Sequence, residues 1–241
     1  MKAMILAAGL GTRLRPLTDQ RPKALVELCG TPLIQIVIRK LVQAGVDQIV
    51  INVHHFAEKV VEYVEGHNGF GVHVEFSREP LILGTGGGLQ KVARFFAGPE
   101  PFFLHNVDIV ADIDLVALLN YHRTRGALAT LAVQVRPTSR PLAIDNKGLL
   151  CGRMGHALNR VPDGGVRSMG YSGIQVISPG MLPLLSETPP FSLIDAEIRL
   201  CADHEIVAYD IGNAHWWDVG SREALADAER AFRSGSVIAW W

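Results

Sequence analysis

Short apolar runs without helical periodicity recur along the chain and predict buried β-strands, most of them bounded by glycine, proline or polar residues. Residues 142–144 and 149–151 flank Asp-Asn-Lys-Gly at 145–148, a sequence that predicts a hairpin. The remaining predicted strands cover residues 3–6, 48–53, 72–76, 101–105, 127–135, 173–177, 205–209 and 217–219.

Apolar residues at helical spacing predict helices between these strands. After Thr31, Pro32 is expected at the first helical position, and Gly45 is expected to end the helix. Further along the chain, another helix is expected to begin at Asp112 or Asp114 and to run to residue 125. The other predicted helices cover residues 56–64, 89–96, 191–202 and a final segment from a Ser221 cap to residue 232.

The alternation of strands and helices predicts an α/β fold, Rossmann-like, with a mainly parallel sheet and helices on both faces. A length of 241 residues without repeats or a clear linker predicts a single domain over residues 1–241. Residues 154–169 are rich in glycine and polar residues, which predicts a loop near a ligand.

Composition narrows the classes of partner. A net charge of −1 gives no general attraction to nucleic acid or to an anionic membrane, so neither is expected as a partner. Cys29, Cys151 and Cys201 form no C-x-x-C pair, which favours a reducing cytoplasm over a disulfide framework or zinc site. The apolar tail at residues 236–241 is expected to pack on the body of the protein or on a second subunit. A monomer or a homodimer is expected.

A glycine-rich loop follows the first strand directly. Gly9 and Gly11 allow backbone N–H groups to turn towards an anion, although such a pair is by itself more often a plain turn. Leu14 stands where a dinucleotide-binding or Walker A loop needs glycine, so the loop matches neither motif. Arg13 and Lys23 add cations beside it, which favours a site for a triphosphate.

Several segments together resemble the signature of sugar-1-phosphate nucleotidyltransferases. They are Leu6-Ala7-Ala8-Gly9-x-Gly11-Thr12-Arg13-Leu14-x-Pro16-Leu17-Thr18, Pro22-Lys23-x-Leu25, Pro32-Leu33-Ile34 and Asp218-Val219-Gly220. The resemblance covers nearly the whole chain. In compactness the chain resembles short members without a hexapeptide-repeat domain, such as N-acetylmuramate-1-phosphate uridylyltransferases and mannose-1-phosphate guanylyltransferase-like proteins.

The resemblance implies roles for the loop. The Gly11–Arg13 stretch, with Thr12 at its centre, would wrap the triphosphate, and Lys23 would contact phosphates at the reacting centre. Gly9 is expected to bind the nucleotide as well. The backbone near Leu6 and Ala8 would meet the nucleoside. Arg13 and Lys23 are therefore the expected catalytic residues.

Asp108 and Asp218 follow or end predicted strands far apart in sequence. Two such carboxylates meeting over one site would hold Mg²⁺, an ion that commonly bridges carboxylate and phosphate, whereas isolated aspartates more often cap turns. Both positions resemble the family's metal-binding aspartates, so Mg²⁺ is the expected cofactor. Val107 departs from the glycine that usually precedes the first aspartate, and a β-branched residue restricts the backbone there.

The remaining candidate residues come from the resemblance. Gly86 and Gly87, in a glycine run at a predicted helix entrance, and Glu79 before it would lie against the base and ribose. Ser172, Gly173 and Asp195 align with sugar-pocket segments. The lysine that many relatives carry in a Glu-Lys-Pro segment has no counterpart, which leaves the sugar-phosphate contact open among Arg140, Lys147 and Arg153.

The expected reaction is attack by a sugar-1-phosphate oxygen on the α-phosphorus of a nucleoside triphosphate, which releases pyrophosphate. That oxygen is already anionic, so alignment and charge neutralisation would suffice without a strong base. UTP with N-acetylmuramate-1-phosphate or a related hexose-1-phosphate is favoured. The alternatives are GTP with mannose-1-phosphate, a non-catalytic sugar-nucleotide-binding subunit, and an enzyme for a non-sugar phosphate such as phosphocholine.

Overall fold

The computed structural model describes residues 1–237 and 239. Its strands are β1 (Lys2–Leu6), β2 (Glu27–Leu28), β3 (Thr31–Pro32), β4 (Gln48–Val53), β5 (His73–Arg78), β6 (Phe102–Asn106), β7 (Ile109–Ala111), β8 (Ala129–Gln134), β9 (Leu142–Asp145), β10 (Leu150–Arg153), β11 (Val166–Ile177), β12 (Ile206–Asp210) and β13 (Trp216–Asp218). Its α-helices are α1 (Leu33–Gln43), α2 (Ala57–Gly66), α3 (Gly84–Lys91), α4 (Leu115–Arg125), α5 (Leu193–Leu200) and α6 (Arg222–Arg233).

The chain forms two compact units. The first comprises Met1–Ile82, His105–Ile113 and the chain from Ala214 onwards, and the second comprises Leu83–Leu104 and Asp114–Asn213. The division falls within β6. The single domain predicted over residues 1–241 therefore stays a prediction.

In the first unit, β1 pairs in parallel with β4, and β4 pairs in parallel with β5. All the residues of β4 after Gln48 are buried, as expected for a central strand covered on both faces. Two antiparallel ribbons, β2 with β3 and β7 with β13, also lie in this unit. The sequence pattern did not indicate β2, β3 or β7, because each has only two or three residues.

Helix α1 shows how the sequence determines one element. Its apolar residues Leu33, Val37 and Leu41 are completely or almost completely buried and recur on one helical face. Pro32 is the N-cap with extended backbone, so the predicted first helical position was wrong by one residue. Pairing of Leu28 with Thr31 in the β2–β3 ribbon holds the residues before the helix in strand geometry.

In the second unit, the strands follow the order β10–β9–β11–β8–β12. Only β8 and β12 pair in parallel there, and the other three pairings are antiparallel. The β9–β10 pairing confirms the predicted hairpin. The sheet is therefore mixed, and the predicted α/β class is confirmed.

Strand β11 corrects the prediction for residues 154–169. The strand begins at Val166 and runs to Ile177, so the last residues of the predicted loop belong to a sheet. Its pairing with β8 shifts register between Tyr171 and Gln175, where Gly173 has φ +76. Such a bulge interrupts the alternation of side chains, which is why only the second half of the strand was visible in the pattern.

The glycine run at residues 84–88 lies within α3 and not at the entrance of a helix that begins at residue 89. Gly86 and Gly87 are buried, and a Cβ on Gly86 would overlap the ring of Phe191. A Cβ on Gly87 would lie 2.9 Å from the Cβ of Pro189. Close packing of α3 against this segment therefore requires glycine, although glycine is a poor helix former.

The predicted caps of α4 and α6 are confirmed. The Asp114 side chain accepts a hydrogen bond from the backbone N–H of Ala117 at 2.9 Å, at the start of α4. The Ser221 hydroxyl accepts one from Ala224 at 3.2 Å, at the start of α6. Both side chains satisfy backbone donors that the first helical turn leaves without partners.

Within the described residues, no helix combines the length and the apolar character needed to cross a bilayer. Of the apolar tail at residues 236–241, Val237 is buried. Ile238, Trp240 and Trp241, on which the prediction for the tail also rests, lie outside the described residues.

Helix α5 carries a buried carboxyl group, that of Glu197. Neither of its carboxyl oxygens has a hydrogen-bond partner among the described residues, and the residue is 0% exposed. Burial raises the pKa of Glu197 well above its ordinary value of 4.5, and the neighbouring Gln175 side chain lowers the pKa by less. The uncharged form is therefore favoured in the folded protein.

We expect Glu197→Gln to make stability less dependent on pH. A raised folded-state pKa contributes stability that is complete below the ordinary pKa of 4.5 and is lost as the pH rises towards the folded-state value. The unfolding free energy of the variant relative to the wild type should therefore increase from pH 4 to pH 8, by about 1 kcal/mol or more. Urea unfolding across this range measures the difference, with exposed Glu62→Gln as the control. Parallel pH profiles for Glu197→Gln and the wild type would contradict the expectation.

Candidate active site

The loop that follows β1 begins at a buried hydrogen bond. The backbone N–H of Ala7 donates to Asn52 Oδ1 at 2.7 Å, and the Asn52 amide donates to Glu79 Oε1 at 2.8 Å. Asn52 and Glu79 are each 3% exposed. The ends of β1, β4 and β5 are thereby tied together by side chains at the carboxyl edge of a parallel sheet, where ligands bind in open α/β folds.

The sequence did not single out Asn52, and it did not indicate the structural contacts of Glu79. Asn52 was overlooked, although it is the one polar residue in the apolar stretch from Ile49 to Val53. Glu79, expected to contact the nucleotide, is buried, and its carboxylate accepts a hydrogen bond from the Asn52 amide. Its carbonyl oxygen also lies 2.6 Å from His54 Nδ1. These contacts give Glu79 a role in fixing the strand ends.

Gly11 fixes the course of the loop. Its φ of +65 lies in the left-handed region, and a Cβ there would lie only 3.0 Å from the Cβ of Lys23. Its carbonyl oxygen accepts hydrogen bonds from the Thr18 hydroxyl at 2.9 Å and from the backbone N–H of Leu14 at 2.9 Å. The loop is therefore packed against Lys23, and glycine is required for that approach.

The loop presents polar groups outward. Gly9, Thr12 and Arg13 are exposed, whereas Leu6 is half-buried and Ala8 is buried. In the described part of the chain, the backbone N–H groups of residues 10–12 donate no hydrogen bond to another residue. Amide groups in this arrangement are available to an anion.

Lys23 forms an ion pair with Asp108. Its Nζ contacts Asp108 Oδ2, and the two side chains are only 13% and 14% exposed. Lys23 begins a short 3₁₀-helix after Pro22, and Asp108 lies in the turn between β6 and β7. Poor solvation strengthens the attraction between these charges compared with a surface pair.

The β7–β13 ribbon brings the second carboxylate to the first. Asp218 is opposite Ile109 in this ribbon, and the backbone N–H of Val219 donates to the carbonyl oxygen of Asp108 at 2.9 Å. Asp218 Oδ1 accepts a hydrogen bond from the backbone N–H of Gly220 at 2.9 Å. Arg13 NH2 lies 3.7 Å from Asp218 Oδ2 in a more exposed pair.

Gly220 marks the centre of the cluster. A Cβ on this residue would lie 2.7 Å from Asp218 Oδ1, 2.8 Å from Arg13 NH2 and 2.9 Å from Asp108 Oδ2. Asp218 Oδ1 and Asp108 Oδ2 each lie within 2.9 Å of this point, so these two oxygens are at most about 5.8 Å apart. Arg13, Lys23, Asp108 and Asp218, selected from distant parts of the sequence, come together at one place in the first unit.

Buried His105 does not add to the positive charge here. Desolvation lowers its pKa to about 4, against a smaller opposing effect of its hydrogen bond to the carbonyl of Asn106. The ring is therefore neutral at pH 7. The cluster holds two carboxylates balanced by one lysine and one arginine.

The cluster fits a divalent cation that shares its ligands with a substrate. No group of three or more His, Cys, Asp or Glu side chains suited to a metal ion occurs among residues 1–237 and 239. Mg²⁺ commonly takes one or two carboxylates and completes its shell with phosphate oxygens and water. Asp108 and Asp218 supply that number of carboxylates.

Val107 is accommodated where the resemblance led us to expect glycine. Its φ is not among the positive values found at described residues, so the turn before Asp108 does not require glycine. Its side chain is buried, and its backbone N–H donates to the carbonyl oxygen of Leu6 at 3.1 Å.

In the second unit, the residues proposed for the sugar are distributed over β11 and α5. Ser172 and Gly173 are buried in the bulged strand, and Asp195 is exposed on the helix. Asp195 pairs with Arg153 at 2.5 Å, beside a cavity of about 430 Å³. The cavity is lined by Ser139, Arg140, Pro141, Arg153, Met154, His156 and Asp195. Lys147 does not line this cavity and pairs with Asp163 at 2.6 Å.

The chain is similar in sequence and in fold to several known proteins. The nucleotidyl transferase family matches residues 2–143. N-acetylmuramate alpha-1-phosphate uridylyltransferase of Caulobacter vibrioides is 34% identical over 239 residues, which cover 94% of this chain and 95% of that protein. A mannose-1-phosphate guanyltransferase of Hypocrea jecorina is 31% identical over 223 residues, covering 91% of this chain and 61% of that protein.

The chain spans between 38% and 64% of the length of other curated relatives. Among solved structures, the UTP-bound UGPase from Acinetobacter baumannii has a TM-score of 0.80 at 21% identity, covering 96% of this chain and 92% of that one. This likeness establishes the fold as the nucleotide-diphospho-sugar transferase type, which is of the Rossmann-like α/β class that the sequence predicts.

We expect Asn52→Ala to destabilise the first unit. The substitution leaves the N–H of Ala7 and the carboxylate of Glu79 without the partner they share, and unsatisfied buried groups cost about 1–3 kcal/mol each. Urea unfolding should show a loss of about 2–3 kcal/mol. Exposed Asn120→Ala is the control and should change stability by less than about 0.5 kcal/mol. Equal losses in the two variants would remove the network from the account of the site.

Proposed function

Because the chain belongs to the nucleotidyl transferase family, we propose that it transfers a nucleoside monophosphate from a nucleoside triphosphate to a sugar-1-phosphate and releases pyrophosphate. The observation that carries the proposal is the convergence of Arg13, Lys23, Asp108 and Asp218 beside a loop whose amides at residues 10–12 have no partner among the described residues. Phosphoryl chemistry needs such cations, amides and carboxylates.

The loop and its cations would act on the triphosphate. The N–H groups of residues 10–12 and the Arg13 guanidinium would hold its phosphates. Lys23 would neutralise charge that develops as the sugar-1-phosphate oxygen bonds to the α-phosphorus and pyrophosphate leaves with the electron pair of the broken bond. The attacking oxygen is anionic at neutral pH, so no residue has to remove a proton from it. Alignment of the two substrates supplies the rest of the acceleration.

Asp108 and Asp218 would hold Mg²⁺. The ion would supply charge neutralisation at the phosphate oxygens. The two carboxylates are held in position by the β7–β13 ribbon and by the N–H of Gly220, so little rearrangement of the backbone is needed to present them.

The nucleoside would meet the backbone at Leu6 and Ala8, next to the strand ends that Asn52 and Glu79 fix. Gly86 and Gly87 remain candidates for the base and ribose, although packing against Phe191 and Pro189 accounts for their lack of side chains.

Ser172, Gly173 and Asp195 are the proposed sugar contacts. Among the cations left open by the sequence, the cavity favours Arg140 and Arg153 for the sugar phosphate over Lys147. The Arg153 guanidinium is already paired with Asp195, whereas that of Arg140 has no side-chain or carbonyl partner among the described residues.

UTP with N-acetylmuramate-1-phosphate is the favoured substrate pair, because the uridylyltransferase of Caulobacter vibrioides matches this chain along almost its whole length. GTP with mannose-1-phosphate is the second candidate, supported by the guanyltransferase of Hypocrea jecorina. Cytoplasmic function is proposed from the free thiols of Cys29, Cys151 and Cys201.

A pyrophosphate-release screen of four nucleoside triphosphates against a panel of sugar-1-phosphates tests the function. We expect release with UTP and N-acetylmuramate-1-phosphate or a related hexose-1-phosphate. Release with GTP and mannose-1-phosphate would select the second candidate. Binding of a sugar nucleotide without turnover of any pair would instead identify a non-catalytic subunit.

Asp108→Asn and Asp218→Asn should each lower Mg²⁺-dependent turnover by about 10²–10³-fold, because each variant removes half of the anionic ligand set. The double variant should be scarcely worse than either single variant, since the two carboxylates act as a unit. Steady-state rates and melting temperatures distinguish this from a capping role. Exposed Asp112→Asn, in the segment that follows β7, is the control. Near-normal turnover with a lowered melting temperature would show that the aspartates only stabilise turns.

A further inference from the structure

The ion pair between Lys23 and Asp108 involves Oδ2, the Asp108 oxygen that lies nearer to the point where the two carboxylates meet. Lys23 Nζ contacts Asp108 Oδ2, and this same oxygen is the one that lies with Asp218 Oδ1 around the point marked by Gly220. An ion shared by the two carboxylates would therefore bind next to the ammonium group. The Lys23 and Asp108 side chains are only 13% and 14% exposed, so the positive charges of the ion and the ammonium group would be poorly screened by water and would repel each other strongly.

From this geometry we infer that Lys23 restrains metal binding until a triphosphate is present. In the free protein, Lys23 neutralises Asp108 and opposes a divalent cation at the carboxylate pair. Phosphate oxygens offer the ammonium group another anionic partner, which relieves its repulsion of the ion. The inference deepens the proposed function, because it concerns the order in which the same site is filled.

The coupling between triphosphate binding and metal binding acts in both directions. If triphosphate raises the affinity for the ion, the ion raises the affinity for triphosphate by the same factor. Arg13 contributes little to the restraint, because its pair with Asp218 is 3.7 Å long and the side chains are 65% and 39% exposed. The restraint on metal binding therefore comes mainly from Lys23 and not from Arg13.

Mn²⁺ binding to the full chain without nucleotide, measured by electron paramagnetic resonance, tests the inference. We expect Lys23→Met to bind Mn²⁺ about 10-fold more tightly than the wild type, within the usual range of coupling between sites. Lys23→Arg keeps the charge and should bind as weakly as the wild type. Arg13→Met is the matched control and should change the affinity by less than about 3-fold.

Asp108→Asn in the Lys23→Met background should abolish the gain, which assigns it to this carboxylate pair. Circular dichroism checks folding, and Lys23→Gln replaces Lys23→Met if the latter fails to fold. Equal Mn²⁺ affinity in the wild type and the neutral Lys23 variants would overturn the inference. So would a gain that persists without Asp108. Since this assay uses no substrate, its outcome is independent of whether any substrate pair is turned over.

Discussion

The candidate site depends on holding two carboxylates close together, the largely buried one of Asp108 and the more exposed one of Asp218. Asp108 and Asp218 would repel each other if neither had a cation beside it. The largely buried pair of Lys23 with Asp108 relieves most of that repulsion, and the N–H of Gly220 takes up part of the charge of Asp218. The surrounding structure serves this arrangement. The β7–β13 ribbon sets the separation of the acids, and the approach of Gly11 to Lys23 sets the position of the lysine.

Buried polar contacts also fix the ends of the strands from which the loop begins. Asn52 links the first residue of the loop with Glu79, so that the loop leaves the sheet in a fixed direction. A loop with free amide groups is useful only if its backbone is already in place, because ordering it on binding would cost conformational entropy. The buried contacts of Asn52 therefore hold in place the loop whose exposed N–H groups would bind an anion.

Glycines in this chain serve two different physical needs. Gly11 adopts a left-handed backbone and allows contact with Lys23, which is a requirement of the loop. Gly86 and Gly87 are helical and allow a neighbouring segment to approach α3. Sequence alone treats both as glycine-rich stretches near a ligand, because it records the absence of a side chain and not what fills the space.

The sequence by itself determined most of the helices and strands, the α/β class, the Asp114 and Ser221 caps and the identity of the charged candidates. The elements, the fold class and the caps follow from local periodicity and residue chemistry, and the roles of the charged candidates follow from the resemblance to the nucleotidyltransferase signature. Tertiary structure alone decided that Lys23 lies on Asp108, that Asn52 joins the strand ends, and that residues 166–177 form one bulged strand. It also decided that Arg140 and Arg153 share a cavity from which Lys147 is absent. Such facts depend on which distant segments become neighbours, and pairing between remote residues leaves no trace in the local pattern.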